Sequence, residues 1–144
     1  MGRFDPVVAQ ADFRQISHVR VVVHTMGASG PTTSDNHWSI FLLIEGVDQS
    51  VRVNMSADLD YDDPTGELSW DNHNYQTSRS ALKVWDFPVW SGVQVAYIAA
   101  LIVTLGRDRY EMSGGGSGCR FWVWTIIRDI TAQSYIAANS PQIL

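Results

Sequence analysis

The single thiol of the chain, Cys119, lies between the glycine-rich run GGGSG and the patterned apolar segment RFWVWTIIRDI. Cys119, Trp122, Val123, Ile126, Ile127 and Ile130 follow helical spacing, which sets the thiol in the first turn of a helix. A helix start offers unsatisfied backbone N–H groups and a partial positive charge, and both favour a thiolate. The same N–H groups would receive the oxyanion formed when that thiolate attacks a carbonyl. Gly118 and the glycines before it lack Cβ atoms and would let a substrate approach closely. The competing reading is a small buried residue that begins an apolar stripe.

A cysteine nucleophile needs a base, normally histidine, oriented by a third polar group. His18 and His24 share a face of one strand at even spacing, with nothing nearby that suggests chemistry, and His73 lies in the polar run DNHNY. His37 differs, because it opens the apolar run HWSIFLLI directly after a Ser-Asp-Asn turn and so stands at a sheet end. A tight turn at Glu45-Gly46 would set His37 opposite Asn54 on the next strand, where the amide would orient the imidazole. A longer turn would bring Arg52 or Ser56 to the histidine instead.

These residues need elements to position them. HVRVVVHT (residues 18–25), HWSIFLLI (37–44) and SVRVNM (50–55) are β-branched, partly alternating runs bounded by turn residues, and they predict strands. Shorter strands are expected at residues 67–70 and 80–85, the latter ending near Pro88. From Gly92 the apolar period lengthens, predicting a helix over residues 92–105 that stops at Gly106. Strands first and two principal helices afterwards predict an α+β fold, an antiparallel sheet packed against a helical pair, as a single domain over residues 1–144.

The histidine strand His37-Trp38-Ser39-Ile40-Phe41, a polar partner on the next strand and a cysteine at the start of a later helix resemble the permuted papain-like superfamily. This is the group of NlpC-type and lecithin:retinol acyltransferase-like proteins. The wording NHWSIFLLI with GSGCRFWVW also looks like that of small uncharacterised fungal proteins. The superfamily resemblance implies a permuted papain-like fold with Cys119 as nucleophile, His37 as base and Asn54 as the orienting residue. GGGSG before the cysteine and RFWVW after it depart from the Asn-Cys-Glu-His-Phe box of the acyltransferase branch, and no C-terminal membrane anchor of that branch is expected.

Composition narrows the function classes. The 144 residues carry 15 acids against 10 bases, for a net charge of −5, and form no basic patch, so nucleic acid is not an expected partner. A lone cysteine and the absence of a signal-peptide pattern point to a cytoplasmic protein. Residues 92–105 are too few to span a bilayer, so no stable membrane anchor is expected. One cysteine and four scattered histidines offer no metal-ligand spacing. Pro64 breaks the calcium-like run DLDYDDPTGE, and GGGSG lacks the Gly-Lys-Ser/Thr ending of a phosphate loop. No cofactor is expected, and homo-oligomers remain open.

Two functions follow. In the first, a thiol-dependent hydrolase, acyl transferase or cyclase uses Cys119, His37 and Asn54 on an amide, ester or thioester of an apolar small molecule. Trp38, Arg52, Tyr110, Gly118 and Trp122 would line its substrate site. In the second, a small-molecule-binding protein, or a cyclase or isomerase, works by shape and hydrogen bonds, and Cys119 is a bystander. His37, Arg52, Asn54 and Tyr110 are then the polar contacts.

Overall fold

The structure is a computed structural model that describes residues 2–24, 37–57, 66–76, 81–109 and 118–144. Its strands are β1 (Arg3–Phe4), β2 (Ile16–His24), β3 (His37–Ile44), β4 (Ser50–Ala57), β5 (Gly66–His73) and β6 (Ala81–Pro88). Its helices are α1 (Pro6–Ala9), α2 (Val95–Thr104), α3 (Gly118–Ala132) and α4 (Ser140–Ile143). The fold is α+β: the six strands form one antiparallel sheet in the order β1-β5-β4-β3-β2-β6. Strands β2 to β5 make a meander, and β6 returns to the outer edge of β2, where Pro88 breaks no internal ladder.

The two faces of the sheet follow from side-chain alternation along β3. Ile40, Leu42 and Ile44 join Val19, Val21, Val51, Val53, Met55 and Trp70 in the main core, packed beneath α2 and α3. Phe41 and Leu43 point the other way and form a small cluster with Val22 on the far face of the sheet. The expected stripe of α3 holds: Cys119, Trp122, Val123, Ile126, Ile127 and Ile130 are all buried against the sheet. Each such side chain contributes about 1.5–3 kcal/mol by leaving water, which is why a 3.6-residue period suffices to dock the helix.

The expected elements are present, with corrections at their edges. Helix α2 begins at Val95 rather than Gly92, because Gly92 has φ +91° and Gln94 is extended (φ −113°, ψ 160°). At its other end Gly106 takes φ +72°; its N–H meets the Val103 carbonyl at 3.0 Å while Arg107 N–H meets that of Ile102 at 2.8 Å. This is the Schellman arrangement, and it requires a left-handed residue there. Strand β5 runs to His73, well past the expected Trp70, because Asp71, Asn72 and His73 stay paired with Arg52, Val51 and Ser50. Helix α1 had a legible start: Asp5 caps it by accepting from Val7 N at 2.7 Å, with Pro6 as its first residue.

The β3–β4 turn is longer than the tight one that would pair His37 with Asn54. Ile40 faces Val53, and Leu43 faces Ser50, a shift of two residues from the tight-turn register. An even shift leaves every side chain on its original face, so the histidine and the asparagine still share one side of the sheet.

Candidate functional site

His37 shares a face with Phe41, so it projects from the far side of the sheet, away from α2 and α3. His24 lies directly opposite it on β2, with the two rings stacked at 6.4 Å between centroids. His24 is buried, with Nε2 hydrogen-bonded to Ser39 Oγ at 2.7 Å and its ring 5.9 Å from that of Phe41. Beyond Phe41 come His73, at 5.9 Å, and then Tyr75, 4.8 Å from His73. Arg52, opposite Phe41 on β4, donates to Asp71 on β5 at 3.2 Å.

His37 reaches diagonally across the β3–β4 pair, and its Nε2–H donates to Asn54 Oδ1. An amide oxygen only accepts, so the proton sits on Nε2 and Nδ1 keeps a lone pair. Asn54 therefore contacts His37 by a diagonal rather than the direct pairing expected from a tight turn.

Three imidazoles of this face, those of His24, His37 and His73, are held in the neutral form. Burial pushes His24 down to about 4, and the positive charge of His37 when it is protonated, and of Arg52, pushes in the same direction. His37 is also lowered, chiefly by burial; the Asn54 bond opposes the shift, and Arg52 adds to it. His73 is lowered by burial and by Arg52, with Asp71 pulling the other way. A neutral imidazole with a free lone pair is a base at pH 7, and a guanidinium beside it is a fixed cation for an anion. Among the described residues, Arg52 Nε and His73 Nε2 are buried polar atoms without a hydrogen-bond partner. Trp70 Nε1, in the main core, is a third, and each such atom costs about 1–3 kcal/mol unless it is satisfied.

Cys119 is not part of this constellation. It is the second residue of α3, only 4% exposed, and packs in the main core on the helix side of the sheet. His37 leaves β3 on the opposite side. The thickness of the sheet thus stands between the thiol and its expected base, and no shift of register by two residues would change that. Trp122 is likewise a core residue, fully buried, and its Nε1–H donates to the Arg107 carbonyl at 2.9 Å. That bond, with the Arg107–Asp129 ion pair at 2.8 Å, ties the end of α2 to α3. Gly118 opens α3, and Tyr110 lies outside the described residues.

Trp38 also parts from the histidines, since it points toward the helices. It stacks on Trp85 at 5.2 Å and lines a cavity of about 420 Å³ with Arg120, Phe121, Trp124 and Leu144. The eight residues expected to act together therefore divide. Arg52, Asn54 and His37 meet on the far face, Trp38 borders a cavity on the other, and Cys119 and Trp122 are core. His24, His73 and Asp71 belong to the far-face group, although the sequence pattern marks His24 only as a strand residue and His73 only as part of the polar run DNHNY. The signal for His24 was its even spacing from His18 together with the β2–β3 hairpin, which sets it against His37.

Among the described residues no group of three His, Cys, Asp or Glu is placed to hold a metal ion, and no helix is long and apolar enough to cross a membrane. An antiparallel sheet covered on one side by two helices, with a histidine–arginine cluster on the other, defines an α+β protein. The chain belongs to the family of the domain of unknown function DUF7770, which matches residues 19–144. No curated protein and no solved structure matches it.

Proposed function

We propose that this protein binds a carbonyl-bearing small molecule on the far face of the sheet and acts on it by proton transfer, as an isomerase or cyclase without a covalent intermediate. His37 Nδ1 takes a proton from the carbon beside the carbonyl, and the C–H electron pair moves into the carbonyl to give an enolate. Arg52 holds the enolate oxygen, and Asn54 keeps the imidazole in the tautomer that the step needs. In isomerisation the imidazolium returns the proton at a different carbon. In cyclisation the enolate carbon closes on a second carbonyl of the same molecule, and the imidazolium protonates the alkoxide so formed. The observation that carries this reading is the common face of His37, Asn54, Arg52, His24 and His73, with three neutral imidazoles around one guanidinium.

The thiol-dependent hydrolase or acyl transferase, and the permuted papain-like fold that goes with it, would require Cys119 within hydrogen-bond reach of His37. The opposite faces of the two residues weigh against that reading, and Cys119 acts here as a core residue.

The test is proton exchange into a panel of enolisable ketones in D2O, followed by 1H NMR, for wild type, His37→Ala and Cys119→Ala. Wild type and Cys119→Ala should accelerate exchange of at least one ketone, and His37→Ala should lose about tenfold or more of that rate, the usual range of a general base. Loss in Cys119→Ala with full activity in His37→Ala would overturn the proposal and restore the thiol.

A further inference from the structure

The cavity beside Trp38 belongs to a feature that the far-face site does not use. On α3, Arg120, Trp124 and Arg128 stand at four-residue intervals and so share one exposed side of the helix. Arg128 lies over the Trp124 ring at 5.2 Å, and Phe121 stacks on the same indole at 5.9 Å. Arg120 lies over Trp38 at 5.2 Å, Trp38 stacks on Trp85, and Lys83 caps Trp85 at 4.6 Å. Three cations and four aromatic rings thus run from the edge strand β6, across the start of β3, to the outer side of α3.

Two observations set this surface apart from ordinary packing. Phe121 is 59% exposed, a large aromatic side chain held in water at the rim of an apolar cavity. The charges are also unusual for an acidic protein. Arg3, Arg14, Arg20, Arg52 and Arg107 each pair with a carboxylate. Among the described residues Arg120 and Arg128 pair with no Asp or Glu, and no Asp or Glu side chain lines the cavity, whose wall includes Leu144. A guanidinium held over an indole at this distance brings an anion-binding fork beside a stacking plane.

We propose that this groove is a second binding site, separate from the far-face histidines, for a small planar aromatic anion such as an aryl carboxylate. The ring lies against Trp38, Phe121 and Trp124, and the carboxylate takes the N–H edge of Arg120, with Arg128 adding positive potential. The cavity volume of about 420 Å³ lies within the range of small-molecule sites. Charge complementarity selects the occupant: a neutral aromatic would leave the guanidinium edge unused, and a cation would be repelled by both arginines.

The experiment titrates the full-length protein with 2-naphthoate and, separately, with the neutral 2-naphthalenemethanol, following tryptophan fluorescence and calorimetric heat. Saturable binding of naphthoate, preferred over the alcohol by about tenfold or more, is expected from one charge-assisted bidentate contact. Arg120→Gln should remove that preference, and Trp124→Ala should weaken both ligands. Arg109→Gln, an exposed arginine outside the cavity lining, and His37→Ala, on the other face of the sheet, should leave naphthoate binding unchanged. Equal affinity for acid and alcohol, no saturable binding, or equal losses in Arg109→Gln and Arg120→Gln would overturn the proposal. Loss in His37→Ala would show that the ligand sits on the far face instead.

Discussion

His24 and His37 face each other across the β2–β3 pair with their rings inclined by only 28°, and beside burial a charge on His37 makes it harder for His24 to carry one. Arg52 adds to the effect from β4, so burial and this permanent charge together hold His24 and His37 neutral on the far face of the sheet. The arrangement keeps bases available at pH 7, and it makes the fold sensitive to acid.

That sensitivity has a definite sign. The unfolded chain protonates His24 near 6.5, whereas the folded protein does so only at about 4. Between these values the unfolded state binds the extra proton, so the stability from neutral His24 is complete above pH 6.5 and is lost as pH falls toward 4. The slope reaches about 1.4 kcal/mol per pH unit for one such site. Urea denaturation at pH 7.5, 6 and 5 should show wild type losing more stability than His24→Gln over this interval. Imidazole resonances of His24 that titrate near 6.5 in the folded protein would contradict the prediction.

The Asn54 bond can be tuned in both directions. It favours the charged form of His37, because a group that accepts from Nε2–H is strengthened when the ring is protonated. Asn54→Asp should raise the His37 titration midpoint, and Asn54→Ala should lower it further. Two-dimensional NMR of the histidine side chains across pH 4–8 reads both shifts. A midpoint that ignores Asp at position 54 would mean that the diagonal contact is not made in solution.

Why the sheet was legible and the site only partly so follows from what each depends on. Strand β3 needed nothing beyond its own run HWSIFLLI, and its bounds were met in full. The stripe from Cys119 to Ile130 fixed the docking face of α3 for the same reason, since burial depends on local period. The pairing of His37 with Cys119 depended on something no local period carries, namely which face of β3 meets the helices. His37 and Trp38 are neighbours in sequence, and the choice between them decides whether the histidine or the tryptophan looks toward α3. Trp38 packs against the main core because its bulk fills the space beside Trp85 and Arg120. His73 was hidden for a related reason: its ring finds Phe41 and Tyr75 only because β5 extends beyond Trp70.

A buried thiol on the helix side makes its own prediction. Cys119 should react with iodoacetamide slowly in the folded protein and quickly once denaturant opens the core, and His37→Ala should leave the native rate unchanged. Cys119→Ala should cost about 1–2 kcal/mol through lost packing. Rapid native labelling that slows in His37→Ala would show a coupled pair and would refute the placement of the thiol.

The two principal helices end alike, with different residues at the position that matters. After α2, Gly106 takes φ +72°; after α3, Ser134 takes φ +62°, with Ser134 N–H on Thr131 O at 2.9 Å and Tyr135 N–H on Ile130 O at 3.2 Å. Both are Schellman turns, and a left-handed residue with a Cβ costs about 1–2 kcal/mol relative to glycine. Ser134→Gly should therefore stabilise the protein, by about 0.5–1 kcal/mol once the greater freedom of glycine in the unfolded chain is counted. Gly106→Ala should do the reverse. A Cβ at Gly106 meets no atom within 4 Å, so its cost is that of the backbone alone. Thermal unfolding should show midpoints moving by about 2–4 °C in opposite directions for the two variants. Shifts of the same sign would mean that the ends of α2 and α3 are not equivalent turns, and that Ser134 is retained for a contact rather than tolerated for its conformation.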